Sequence, residues 1–312
     1  MSSGSSLNPV PEFRPAVKES RPVRLAFEGP SGSGRTLTAL LVAAALGDPV
    51  ALIDTERGMA AKYADRVPFD TQEFTHYDPQ SLFASLARAG TRGYPVLVVD
   101  TYSAFWSGAG GRLDKVSDEA RAGYGGADAA WSKYRPVDRG VTEALAAYPG
   151  HIIVTLRART DTVIEIDSQG RQYARRISVR PEQRADIEYD FDAVGTLGPV
   201  ATVRFGKSHI PALAGEVIEQ PGEDLGRTIR AWADDGIPNW PQQTFIARAR
   251  DPDATVDSLR QLWSEIVAAR AAGMAALDLH DEPTTLARLV ENRGIQLRAV
   301  AAAPQAPSAP AA

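Results

Sequence analysis

Gly29 and Gly34 stand with four residues between them in the run Gly29-Pro30-Ser31-Gly32-Ser33-Gly34-Arg35-Thr36. Glycines at that spacing let backbone N–H groups turn inward around an anion, and the Thr36 hydroxyl can ligate a divalent cation. Loops of this kind place a lysine just before the hydroxyl, to grip the outer phosphates, and here Arg35 takes that position. Arginine keeps the charge but is planar and wider, and follows a moving phosphate less well. Two further stretches add carboxylates. "VALIDTE" ends an apolar run with Asp54 and Glu56, and "VLVVD" ends another with Asp100. Either acid alone is more often a helix cap or a solvated turn. Together with the glycine loop they have the chemistry of a site that binds nucleotide phosphates with Mg²⁺, the cation held by Thr36 and Asp100.

Each of these groups needs a rigid element behind it. "PVRLAFEG" reads as a buried strand before the loop, and "RTLTALLVAAALG" as a helix after it, stopped by Gly47. "PVALIDTERG" is a second strand, "MAAKYAD" a short helix and "TQEFTHY" a third strand. "PQSLFASLARAG" is an amphipathic helix with Leu82, Phe83 and Leu86 on one side. "YPVLVVDTYSAFW" reads as a continuous apolar strand buried on both faces. "VDRGVTEALAAYPG" is a helix leading into the strand "HIIVTLRAR". Alternation of this kind predicts an α/β fold with a mainly parallel central sheet, its ligands at the carboxyl ends of the strands. After residue 160 the pattern changes. A β-hairpin is expected over "TDTVIEIDSQGRQYARRISV", turned at Ser168-Gln169-Gly170, followed by strands in "IEYDFDAVGTL" and "VATVRFGKS" and the helix "EDLGRTIRAWADDG".

Composition sets outer limits. The 312 residues carry a formal net charge of −5, so any nucleic-acid surface must be local. There is no cysteine, which removes disulfides, thiolate catalysis and cysteine zinc sites. His76, His151, His209 and His280 have no metal-ligand spacing. The first residues have no apolar core of a signal peptide, and no apolar run reaches membrane-spanning length, so a cytoplasmic protein with no membrane partner is expected. Residues 1–20 read as a flexible arm, 21–236 as the core, 241–300 as a small helical domain and 301–312 as a Pro/Ala tail. In the helical part Leu259, Leu262, Trp263, Ile266 and Val267 form one stripe, with Trp263 expected in the core.

The set "EGPSGSGRT", "LIDTE" and "VLVVDTYSAFW" resembles a RecA-like core ATPase of the P-loop NTPase class. The nearest likeness is to the phage-encoded ATPases that include RecA-like single-strand annealing proteins, over roughly residues 22–235. The resemblance implies that Glu56 activates the attacking water, that Asp100 holds Mg²⁺ through water, and that Lys207 in "FGKSHI" reaches a neighbouring subunit's nucleotide. His209 departs from the arginine of that last pattern. It also implies recombination or annealing of single-stranded DNA, a ring or filament of identical subunits, phage or host replication and recombination partners, and the cytoplasm of an infected bacterium. "FRPA", Phe13 to Ala16, has a form by which some recombinases dock an arm on a neighbour; a plain flexible arm is the other reading.

Two segments suit DNA in such a protein. Residues 103–135 read as a long glycine-rich loop offering Trp106, Tyr124, Trp131 and Tyr134 for base stacking. Residues 157–184 carry seven arginines against four acids, among them Arg157, Arg159, Arg171, Arg175 and Arg176. The bland alternatives are packing anchors for the aromatics and a solvated face for the arginines. Because Arg35 replaces lysine, hydrolysis is expected to be slow, and a nucleotide-binding regulator or scaffold that scarcely hydrolyses ATP is the alternative function. A helicase-loading or packaging role is a third.

Overall fold

The computed structural model describes residues 15–123, 125–166, 172–198, 201–237 and 242–302, with the side chains of 159–179, 242, 243 and 302 outside the description. β1 (Arg24–Gly29) leads through the glycine loop into α1 (Arg35–Leu46), and β2 (Val50–Asp54) follows. After a 3-10 turn come β3 (Asp70–Glu73), α2 (Pro79–Thr91) and β4 (Val96–Asp100). Asp78 caps α2, accepting the Gln80 N–H at 2.9 Å, with Pro79 at the first helical position. Next are α3 (Ala104–Ser107), α4 (Arg112–Ala122), α5 (Gly126–Ala147) and the long β5 (His151–Ile166), which turns back as β6 (Gln172–Pro181). β7 (Ala193–Leu197), β8 (Thr202–Ser208), β9 (Val217–Glu219) and α6 (Glu223–Asp234) complete the core.

Among the described residues the main sheet runs β3-β2-β4-β5-β1-β7-β8-β9, with β6 paired to β5. The first six strands in that order are mutually parallel, and β6, β8 and β9 pair antiparallel. Both faces are dry. Leu25, Phe27, Val98 and Ile153 pack toward α1 and α6, while Ala26, Leu97, Val99, Ile152 and Val154 pack toward α2 and α5. The period-2 alternation of strand side chains therefore sends apolar groups both ways, the pattern of a sheet covered by helices.

Beyond the core lie α7 (Gln242–Arg250), α8 (Val256–Ala268), β10 (Ala275–Leu277), β11 (Pro283–Thr285) and α9 (Leu286–Ala302). β10 joins this unit to the core by the same alternation. Ala275 and Leu277 pack with the α2 cluster, whereas Ala276 packs with Phe245, Leu262 and Leu289. The Leu277 N–H donates to Thr91 Oγ1 at 3.1 Å.

Several sequence expectations need correction. The apolar strand ends at Asp100, and Ala104–Ser107 is helical. The supposed loop over 103–135 is mostly α4 and the first half of α5; Trp131 and Tyr134 are helical residues. "IEYDFDAVGTL" opens with a 3-10 turn over Ile187–Asp190 before β7 begins. The segment expected to be wholly helical contains the β10–β11 ladder. Trp263 is not core: it is 41% exposed and Val267 53%, because α8 buries only Leu259, Leu262 and Ile266. Ser168, Gln169, Gly170, Tyr124 and Phe13 lie outside the described residues.

Candidate nucleotide site

The glycine loop joins β1 to α1 at the carboxyl edge of the parallel strands. Gly29 has no room for a side chain, since a Cβ there would stand 2.6 Å from Ser33 Oγ and 2.9 Å from the Leu197 carbonyl oxygen. Gly32 and Gly34 hold φ of 78° and 87°, the left-handed region that L-residues avoid. α1 starts without a capping side chain and without an acid in its first turn, and its first helical bond runs from Thr38 N–H to Gly34 O. The N–H groups of Arg35, Thr36 and Leu37 therefore face outward with the positive end of the helix dipole behind them. The Ser33 hydroxyl is buried and makes no hydrogen bond. A concave set of donors with an uncommitted hydroxyl fits phosphate oxygens.

Three strand ends meet this loop. In the β2–β4 register Asp54 lies beside Asp100, and in the β1–β5 register Gly29 lies beside Arg157. β5 is thus interposed between the loop strand and the strand that ends in Asp100. Asp100 is buried, and both oxygens are engaged: Thr36 Oγ1 donates to Oδ2 at 2.7 Å, and Thr155 Oγ1 donates to Oδ1. Burial raises the Asp100 carboxyl above its ordinary range, opposed by the two hydroxyl bonds. The β2 and β4 tips are tied together by Thr55, whose N–H donates to Asp100 O and whose hydroxyl accepts the Thr101 N–H at 2.8 Å. Asp54 accepts the Glu56 N–H at 2.6 Å through Oδ1, and its Oδ2 is buried without a partner.

Glu56 and Arg35 are held by contacts that the sequence did not announce. Arg157 donates to Glu56 Oε1 from Nη2 at 2.9 Å and from Nε at 3.2 Å. Arg35 folds back on its own loop, its Nη1 donating to the carbonyls of Gly29 and, at 2.6 Å, Pro30. Burial lowers its pKa, opposed by the Asp100 and Glu56 carboxylates, while the Arg157 charge adds to the lowering. Among the described residues no three acidic or histidine side chains converge on one point. One hydroxyl and one carboxylate are what Mg²⁺ requires when phosphates and water complete its shell, so Thr36 and Asp100 fit that ion.

A family profile described as an AAA domain matches residues 21–211. The chain belongs to the AAA domain family. Comparison with curated proteins gives no match. The AAA domain has a P-loop ATPase-type core, so nucleotide binding is its class of function, and the matched span contains every element of the site just described. No helix among the described residues is long and apolar enough to cross a membrane.

The AAA domain brings together Gly29 to Thr36, Glu56, Asp100 and, unexpectedly, Arg157. It does not bring in Lys207, which sits on β8 and donates to the carbonyls of Glu188, at 2.8 Å, and Phe191. Trp106 sits on α3 with its ring 5.9 Å from that of Trp131. Beside them Arg112, only 2% exposed, lies over the rings of Trp131 and Tyr134 and pairs with Asp138 at 2.8 Å. These aromatics enclose a buried cation. The side chains of Arg159, Arg171, Arg175 and Arg176 lie outside the described residues. Sequence reasoning missed Thr155, and it gave Arg157 to DNA rather than to this site. Their signal was the alternation Thr-Leu-Arg at the end of a buried strand, which puts two polar groups on one side at the ligand edge.

Proposed function

We propose that this AAA domain binds ATP with Mg²⁺, hydrolyses it slowly, and couples it to handling of single-stranded DNA in annealing or recombination, as a RecA-like protein of phage type. The observation that carries the nucleotide part is the hydrogen bond between Thr36 and Asp100, which sets hydroxyl, buried carboxylate and glycine loop around one point. The loop N–H groups from Gly29 to Thr36 would hold phosphate oxygens. Thr36 Oγ1 and Asp100 would hold Mg²⁺, which when bound neutralises phosphate charge. Glu56 would orient water for attack on the terminal phosphorus and take its proton as the bond from that phosphorus to the bridging oxygen of ADP breaks. Arg35 spends donors on loop carbonyls, which supports slow turnover. The same contact favours the second reading, a nucleotide-binding regulator or scaffold with little hydrolysis.

The DNA part rests on the arginine content of the β5–β6 hairpin, which starts one residue past the nucleotide edge. Ring or filament assembly, phage or host recombination partners and a cytoplasmic site of action belong to the same proposal. In it Lys207 would exchange its own-chain carbonyls for a neighbour's phosphate. The test is ATP turnover by the full chain and Arg35→Lys, each with and without single-stranded DNA. Arg35→Lys should turn over ATP at least about tenfold faster, and DNA should stimulate both. Equal rates would overturn the role given to Arg35. Nucleotide binding without DNA affinity would leave the regulator as the function.

A further inference from the structure

We propose that Arg157 is the mobile cation of the nucleotide site, pairing with Glu56 until a terminal phosphate takes it. This rests on the nucleotide-binding reading and deepens it by assigning the group that distinguishes a triphosphate from a diphosphate.

Arg35 no longer offers its charge freely to the outer phosphates. Its guanidinium braces the loop from within through two carbonyls, and its Nε is buried without a partner. A cation in that position stiffens the cradle and contributes little beyond it. The outer side of the site needs another positive group, because a terminal phosphoryl facing Asp100 and Glu56 meets two carboxylates. Among the described residues Arg157 stands there, paired with Glu56. It is the last residue of β5 in register with β1, opposite Gly29 at the root of the loop. Its side chain is part-exposed and touches Glu56, the group given the attacking water. Its charge is also close enough to Arg35 to depress that group's proton affinity.

Backbone geometry fixes the root of this side chain and frees its end. The Arg157 N–H donates to Ser103 Oγ at 3.0 Å, and its carbonyl accepts the Glu182 N–H at 2.6 Å. Both of its contacts with Glu56 fall on one oxygen, Oε1, so the pair lacks the two-oxygen geometry that makes arginine–carboxylate bonds strongest. A guanidinium carries five N–H donors in a planar fork, and the contacts with Glu56 use two of them. Phosphate offers that fork a doubly charged acceptor and competes well with a single carboxylate oxygen. Transfer of Arg157 to the phosphate then releases Glu56 to accept a hydrogen bond from water. Position adds a second consequence. The next residue, Ala158, makes the first rung of the β5–β6 hairpin with Pro181, so Arg157 occupies the junction between sheet and hairpin. Whatever holds the hairpin also biases this side chain.

The test is calorimetry on the full chain with Mg²⁺, using ADP and a non-hydrolysable ATP analogue. Arg157→Ala should weaken the analogue at least about tenfold and leave ADP within about threefold. Arg157→Lys should fall between. Glu56→Gln removes the competing charge and should tighten the analogue severalfold relative to ADP, which keeps the idea testable even if Arg157→Ala folds poorly. Equal loss of both nucleotides in Arg157→Ala, or no loss of either, would overturn the assignment, as would weaker analogue binding in Glu56→Gln. A wild-type chain that binds neither nucleotide refutes the nucleotide reading itself, a different failure.

Discussion

His151 begins β5, the strand that ends at the nucleotide edge, and its titration should be visible in the stability of the whole core. Its Nδ1 accepts the Val23 N–H at 3.1 Å, so the ring is held as the neutral tautomer with the proton on Nε2. Burial lowers its pKa to about 4 from the ordinary 6.5, and the neighbouring Arg24 charge pushes the same way. Arg24 cannot move off, because its guanidinium is buried and donates to the carbonyls of Gly150, Ala146 and Tyr148. The unfolded chain therefore takes up the proton first as pH falls. The stability held by the neutral ring is complete above about pH 6.5 and drains away toward pH 4, at about 1.4 kcal/mol per pH unit. Between about pH 7.5 and about pH 4.5 that is about 2–3 kcal/mol for this residue. The partner measurement is His151→Asn, which offers an oxygen near the Nδ1 position and does not titrate. Urea unfolding followed by tryptophan fluorescence should show the wild-type chain losing about 2–3 kcal/mol more than the variant over that range. Parallel losses in the two proteins would refute the reasoning, since any other acid-sensitive group is common to both.

Two further substitutions probe the site and its surroundings. Gly29→Ala places a methyl against Ser33 Oγ and the Leu197 carbonyl, and should cost about 1–3 kcal/mol in thermal or urea unfolding while weakening both ADP and ATP-analogue binding. Arg112→Met removes the cation enclosed by Trp131 and Tyr134 and leaves Asp138 half-buried without its partner. It should cost about 2–4 kcal/mol and change the tryptophan emission, with Asp138→Asn recovering part of the loss. Unchanged stability would mean that the ring cluster is not held by this cation.

The core was legible because its signals are local and repeated. A strand, a glycine run and an Ala/Leu helix can be read off residues 22–47 without knowledge of anything distant, and the buried strands β2 and β4 each end on an aspartate that marks the ligand edge. The errors come where local chemistry misleads. Gly108, Gly110, Gly111, Gly123, Gly125 and Gly126 made residues 103–135 look like a loop, yet α4 and α5 run through them, and α5 continues past Pro136. There burial of Val141, Ala144 and Leu145 against the sheet outweighs the lost hydrogen bond. Trp263 failed for a different reason. A five-residue apolar stripe is wider than the surface that α7 and α9 cover, so its edge stays exposed. Arg157 was hidden among seven arginines, because charge content does not say which of them lies in register with the loop.

Lys18 to Arg21 run alongside the end of α6. Lys18 O accepts the Ile237 N–H, Ser20 N–H donates to Ile237 O, and Arg21 N–H donates to Ala233 O. The path into the ATPase core and the path out of it are stitched together, at the margin where β1 and β5 begin, on the far side from their ligand-bearing tips. Cargo fused at this seam would therefore sit on the opposite end of the sheet from the nucleotide edge.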